Sequence, residues 1–173
     1  MSERKPTSLH EERVGRGHAG VSLTCFDQRS EASSRMNAIL TSSWFSKLPA
    51  DHCRIGISRG TPSRQSAPYR SYRPLAPGAW FKSCATPEEY QRRYFSEILS
   101  QLDPAAVVAE LQAMAGTATP TLLCWEHAPP SPAWCHRALV SIWLWDRLGL
   151  EVREYGCEGF GWRHPKLHLS LMR

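Results

Sequence analysis

Apolar residues recur every four positions at Tyr90, Tyr94, Ile98 and Leu102, with Phe95 and Leu99 widening the stripe, so the pattern predicts a helix with one face in a core. Its start is marked by Thr86-Pro87-Glu88-Glu89, which combines an N-cap, a proline at the first helical position and a capping-box glutamate. Asp103-Pro104 repeats the start signal, and Val107, Val108, Leu111 and Met114 predict a second amphipathic helix that Gly116 ends. Four segments carry strand patterns. Residues 37–41 form a short apolar run, and 54–58 alternate through Ile55 and Ile57 until Gly60 and Pro62 stop them. Residues 121–126 place Leu122, Cys124 and Glu126 on one face and Leu123 and Trp125 on the other, and 150–155 alternate as a last, edge strand. Residues 137–148 are apolar nearly all round, which predicts a buried helix capped by Gly149. The order strand, strand, helix, helix, strand, helix, strand implies an α/β fold: a small, mostly parallel sheet of about four strands flanked by helices.

Length and composition limit what surrounds this domain. With 173 residues the chain suffices for one core and is too short for two well-filled ones, so a single domain is expected over 36–156. Residues 1–35 are rich in Ser, Arg, Glu, Gly and His without apolar period and read as a disordered N-terminal extension. Met36 stands just before the first strand and is a candidate natural start. Residues 157–173 read as a C-terminal tail, free to trail or to fold across a site, with His164 and His168 on its surface. No apolar run approaches the roughly 20 residues that cross a bilayer, so no membrane association and a cytoplasmic location are expected. The six cysteines lack a repeated spacing and are expected as reduced thiols.

A net charge of +5 is a mild bias, but its distribution is uneven. Between residues 54 and 82 stand Arg54, Arg59, Arg64, Arg70, Arg73 and Lys82 without one Asp or Glu, interleaved with Tyr69, Tyr72 and Trp80 and stiffened by four prolines. This segment reads either as a solvated surface loop or as an anion-attracting wall.

The chemistry concentrates between residues 121 and 149. Glu126 ends a strand, and Cys135-His136-Arg137 open the next helix. In open parallel sheets ligands bind beyond the carboxyl ends of strands, and a helix N-terminus favours anions while lowering a thiol pKa. The first expectation is a cleft that binds an anion or phosphate, with Arg59, Arg73 and Arg137 as ligand-holding residues. A cysteine-dependent enzyme is the alternative, in which Cys135 is the nucleophile and His136 or Glu126 handles protons. A second alternative is a module for nucleotides or nucleic-acid ends, using arginine contacts and aromatic stacking. Whether the protein is an enzyme stays open, as does its oligomeric state. Metal ligation by Cys124, Cys135 and His136, with Glu126 or His127 as a fourth ligand, ranks last, because the spacing lacks close ligand pairs at both ends of a loop. No metal or other cofactor is expected. Glu126 also has a structural reading, in which its carboxylate pairs with Arg137 or Arg59.

The segments LLCWE, CHR and GLEVREYG, with ISRGTP and YRPLAP upstream, resemble the bacterial domain of unknown function 488 family. The resemblance covers roughly residues 37–155. It implies a small α/β domain and singles out Cys124, Glu126, Cys135, His136 and Arg137 by motif position, without a mechanism. The loop between Glu126 and Cys135 is longer here than the short linkers of that family.

Overall fold

β4 (Thr119–Cys124) lies at the centre of a five-stranded sheet of order β3-β2-β4-β1-β5, with every neighbouring pair parallel. The other strands are β1 (Leu40–Ser43), β2 (His52–Gly56), β3 (Arg70–Ser71) and β5 (Arg153–Glu154). These positions come from a computed structural model that describes residues 38–65, 67–129, 133–157 and 164–168. The expectations for residues 1–35 and for Met36 lie outside the described residues. Leu122 and Leu123, adjacent on β4 and therefore on opposite faces, are both fully buried. A parallel sheet covered on both sides requires this at its central strand.

Helix α1 (Pro87–Glu97) begins as its sequence predicts: the Thr86 hydroxyl accepts from the Glu89 amide at 3.1 Å. The Glu89 carboxylate accepts from the amide of Ala85, one residue earlier than a regular capping box would place it. The predicted continuation to Leu102 does not form. The chain leaves the α-helix after Glu97 and makes a 3-10 turn over Leu99–Gln101, which still brings Leu99 into the core. Helix α2 (Pro104–Ala115) is capped by the Asp103 carboxylate and ends at Gly116, whose φ of 63° suits glycine. Helix α3 (His136–Leu148) contacts α1 and α2 as well as β1 and β4, so α2 and α3 share one face of the sheet. It is not buried all round as its composition suggests, because Trp145 and Leu148 near its end are exposed.

All four expected strands differ in their limits for one cause: strand limits depend on pairing, which residue pattern alone does not specify. The first two strands run over 40–43 and 52–56 rather than 37–41 and 54–58, β4 runs over 119–124 rather than 121–126, leaving Glu126 two residues beyond it, and β5 covers only 153–154 of the expected 150–155. The sheet has five strands rather than four because β3, with both residues exposed, adds to the free edge of β2 within the basic segment. The C-terminal segment is not simply a tail. Residues 164–168 return to the domain, where His164, Lys166 and Leu167 are buried.

Gly56 closes β2 under the indole of Trp44, and a Cβ there would fall inside van der Waals contact with the ring. The same indole donates to the Ser58 hydroxyl at 3.2 Å. Gly56→Ala is therefore expected to lose about 1–3 kcal/mol through overpacking. An unchanged denaturation midpoint in urea would contradict this placement of the indole.

Candidate functional site

Beyond the carboxyl ends of β2 and β4 the two chains stay paired for one more step: the Ile57 amide donates to the Leu123 carbonyl at 3.0 Å. Beyond that pair Ser58-Arg59-Gly60, Trp125-Glu126 and the start of α3 border one gap, and the Trp125 indole donates to the Gly60 carbonyl at 2.9 Å. The result is a cavity of about 880 Å³, bounded also by Phe81, Lys82 and Cys84 and by Tyr90 of α1. Its position at the carboxyl edge of a parallel sheet is the one expected from the sequence.

Cys135 is the N-cap of α3 with an extended backbone (φ −153°, ψ 148°), and its side chain makes no capping bond. The thiol faces the cavity instead. Its own amide donates to the Lys166 carbonyl at 3.0 Å, and the Lys166 ammonium donates to the Ala133 carbonyl at 3.1 Å, so the returning C-terminal segment holds the helix start. Cys124 Sγ stands 3.5 Å and Cys135 Sγ 3.8 Å from Nδ1 of His136. Nε2 of His136 lies 3.2 Å from the Ile57 carbonyl. A carbonyl only accepts, so Nε2 carries a proton; Nδ1 is the ring nitrogen nearer the Cys124 sulfur, which also lies 3.9 Å from Nε2.

The electrostatics of this group are linked. Burial pushes the Cys135 thiol up, but the hydrogen bond from Cys124 and the charges of His136 and Arg137 outweigh it and hold the thiol well below its ordinary range. Burial pushes His136 down, and the adjacent Cys135 sulfur raises it above its ordinary value. Burial and the Cys135 charge together push Cys124 well up. The Glu126 carboxyl is raised for the same two reasons. One of its oxygens, Oε2, is buried without a hydrogen-bond partner. The expected alternative of a carboxylate paired with Arg137 or Arg59 is not what forms, since Arg137 takes the backbone carbonyl of Glu126 at 2.9 Å.

The arginines expected to hold a ligand divide. Arg59 lines the cavity, donates to the Pro77 carbonyl at 3.1 Å and lies 5.7 Å from the Phe81 ring centre. Arg73 is outside it, donating to the carbonyls of Ser58 and Arg59 and so bracing the exit of β2. Arg137, 0% exposed, faces away into the core, where two of its nitrogens each donate at 2.9 Å to the Glu154 carboxylate. Its role in the site is to hold the loop after β4, through the carbonyls of Glu126 and His127.

This anchoring was missed at Glu154 and His164. Glu154 was readable in principle, because the alternation of residues 150–155 puts a carboxylate on the same face as Val152. His164 carried no local signal, and its surface assignment is corrected: it is buried against Thr41 and Glu154. Cys84 and Tyr90 were also missed as cavity residues. Tyr90 occupies the core stripe of α1, and no sequence pattern distinguishes a core wall from a cavity wall.

Comparison with family models, with curated proteins and with solved structures finds no match. The functional reading therefore stands on the fold and on the geometry of this cavity.

Proposed function

We propose that the cavity binds an anionic small molecule, with its charged group at Arg59 and Lys82 and its body against the aromatic wall. The observation that carries this reading is that two cations belong to one cavity wall and flank the same ring: Arg59 and Lys82 lie 5.7 and 5.6 Å from the centre of Phe81. Cation–π contact with a shared ring holds both charges beside Phe81. Around it, the described lining contributes one carboxyl, Glu126, against these two cations. The volume falls within the roughly 300–1,000 Å³ typical of small-molecule sites. Trp125 and Trp134 add flat apolar surface on which a planar ring can stack. The resemblance to the domain of unknown function 488 family is part of the same reading, since its motif positions include Cys124, Glu126, Cys135 and His136, which all line the cavity.

A cysteine-dependent reaction on the bound anion is the second reading. The approach of Cys135 Sγ to His136 Nδ1 at the cavity floor favours it. The nucleic-acid reading has less support, because Arg54 and Arg73 of the basic segment are engaged by carbonyl oxygens. Among the described residues no helix is long and apolar enough to cross a membrane.

Adenosine monophosphate and inorganic pyrophosphate serve as probes, titrated calorimetrically at low and high salt. A charge-assisted hydrogen bond contributes about 1.5–3 kcal/mol, so Arg59→Ala is expected to weaken binding of at least one probe by roughly tenfold or more. Lys82→Ala is expected to lower the salt dependence. Equal affinity in wild type and both variants, or no binding of either probe by wild type, would reject the cavity as an anion site.

A further inference from the structure

Cys124 and Cys135 are brought together from a strand end and a helix start, eleven residues apart in the chain, and His136 joins them. One ligand atom from each of the three lies within 4.8 Å of the other two, and all three residues are buried. Sulfur-to-zinc distances of about 2.3 Å and nitrogen-to-zinc distances of about 2.05 Å at a tetrahedral angle place sulfur and nitrogen roughly 3.6 Å apart. The two observed separations, 3.5 and 3.8 Å, bracket that value.

Two observations outside the cluster point the same way. Metal-bound imidazoles donate their second N–H to an outer acceptor, and His136 Nε2 has the Ile57 carbonyl at 3.2 Å. Glu126 Oε2 is buried at the same cavity without a partner, an acceptor suited to a metal-bound water. A nucleophile with its base needs only one of these cysteines. A second sulfur beside the same imidazole, 3.5 Å from Nδ1 and 3.9 Å from Nε2, is accounted for by a shared cation.

We propose that Cys124, Cys135 and His136 form a binding site for a borderline-soft divalent cation of the zinc class, with a fourth position open to the cavity and Glu126 beside it. Three protein ligands with an open position are the pattern of catalytic rather than structural zinc. Two thiolates neutralise the cation's charge, and the open position can take a water or an oxygen of a bound anion. The proposal goes beyond anion binding and does not depend on it, since metal is measured with no anionic ligand present.

The full chain, stripped with a chelator, is titrated with cobalt(II) as a spectroscopic probe. Wild type is expected to bind one equivalent, with a thiolate-to-cobalt charge-transfer band and the strong visible bands of a tetrahedral site, and to lose both when zinc is added. Cys124→Ser and Cys135→Ser are each expected to lower the charge-transfer intensity to about half, because each removes one of two thiolates. Cys53→Ser, on β2 outside the cluster, leaves it unchanged.

A wild-type measurement covers the case in which a variant does not fold. Zinc is expected to slow alkylation of Cys124 and Cys135 but not of Cys53, read by peptide mass. The proposal is overturned by a wild type without the charge-transfer band, by a band retained when both cysteines are serine, or by alkylation at Cys124 and Cys135 that zinc leaves unaltered. Rapid, zinc-independent alkylation of Cys135 would assign that thiol to nucleophilic chemistry instead. Anion binding would be untouched by any of these results.

Discussion

Glu154→Ala is expected to destabilise the protein by about 3–5 kcal/mol, the cost of leaving one partner of a buried ion pair without the other. Both side chains are fully buried, and Arg137 meets the carboxylate with two nitrogens at 2.9 Å. Around the same carboxylate, the Thr41 hydroxyl donates to Oε2 at 2.9 Å, and His164 Nε2 is 3.2 Å from it. The backbone amide of Lys166 donates to His164 Nδ1 at 3.0 Å, which places the ring proton on Nε2, toward Thr41 and Glu154. Urea unfolding at neutral pH measures the loss. A cost below about 1 kcal/mol is what an exposed pair gives, and it would mean that the pair is solvated.

The same network predicts acid sensitivity. Burial raises the Glu154 carboxyl, but hydrogen bonds from His164 and Arg137 outweigh it, and the group titrates below its ordinary value of 4.5. Its stabilisation is present above that value and is lost as pH falls below it. Burial and the Arg137 charge hold His164 below its ordinary 6.5 against the pull of Glu154. The folded state therefore prefers the neutral imidazole, and this contribution declines as pH falls from 6.5. Stability should drop in two stages on acidification, and Glu154→Ala should weaken the lower one. A wild-type midpoint that holds constant from neutral pH to 4 would contradict this assignment.

Tyr94→Ala is expected to cost about 3–5 kcal/mol, the range for removing a large buried aromatic side chain. Tyr94 is fully buried and its hydroxyl donates to the Leu75 carbonyl at 2.6 Å, tying α1 to the segment after β3. Its ring meets the His136 imidazole edge-on, with centres 5.5 Å apart. Tyr94→Phe keeps the ring and leaves the Leu75 carbonyl without its donor, so about 1–2 kcal/mol is expected. Equal losses in the two variants would show that the hydroxyl, not the packing, carries the effect. The Ala variant also removes the support beneath His136, and cobalt bound there should show altered visible bands.

Much of this fold was legible because its signals are local. The caps at Thr86 and Asp103, the stop at Gly116 and the alternation through Ile55 and Ile57 depend on neighbours within a few residues. Element limits were less so: whether Glu126 belongs to β4 depends on where β1 and β2 cease to pair with it. The helix over 86–102 broke after Glu97 although its apolar spacing continues, because the spacing of core residues is also met by a 3-10 turn that carries Leu99 inward.

The candidate site divides along the same line. Its location was determined by sequence, since a strand ending near Cys124 and a helix opening at Cys135 must put Cys124, Glu126, Cys135 and His136 near one sheet edge once the strands are parallel. What each side chain does there was decided by tertiary structure. Arg137 looked like a ligand-holding residue because it follows Cys135 and His136, yet helical geometry turns it inward, and Glu154 on a strand not adjacent to β4 receives it. His164 looked superficial because nothing near it in sequence reveals a partner 123 residues away at Thr41. Local chemistry and periodicity determine where chains start, stop and turn; a buried charge is stable only beside its partner, and that partner is chosen by the packing of distant segments.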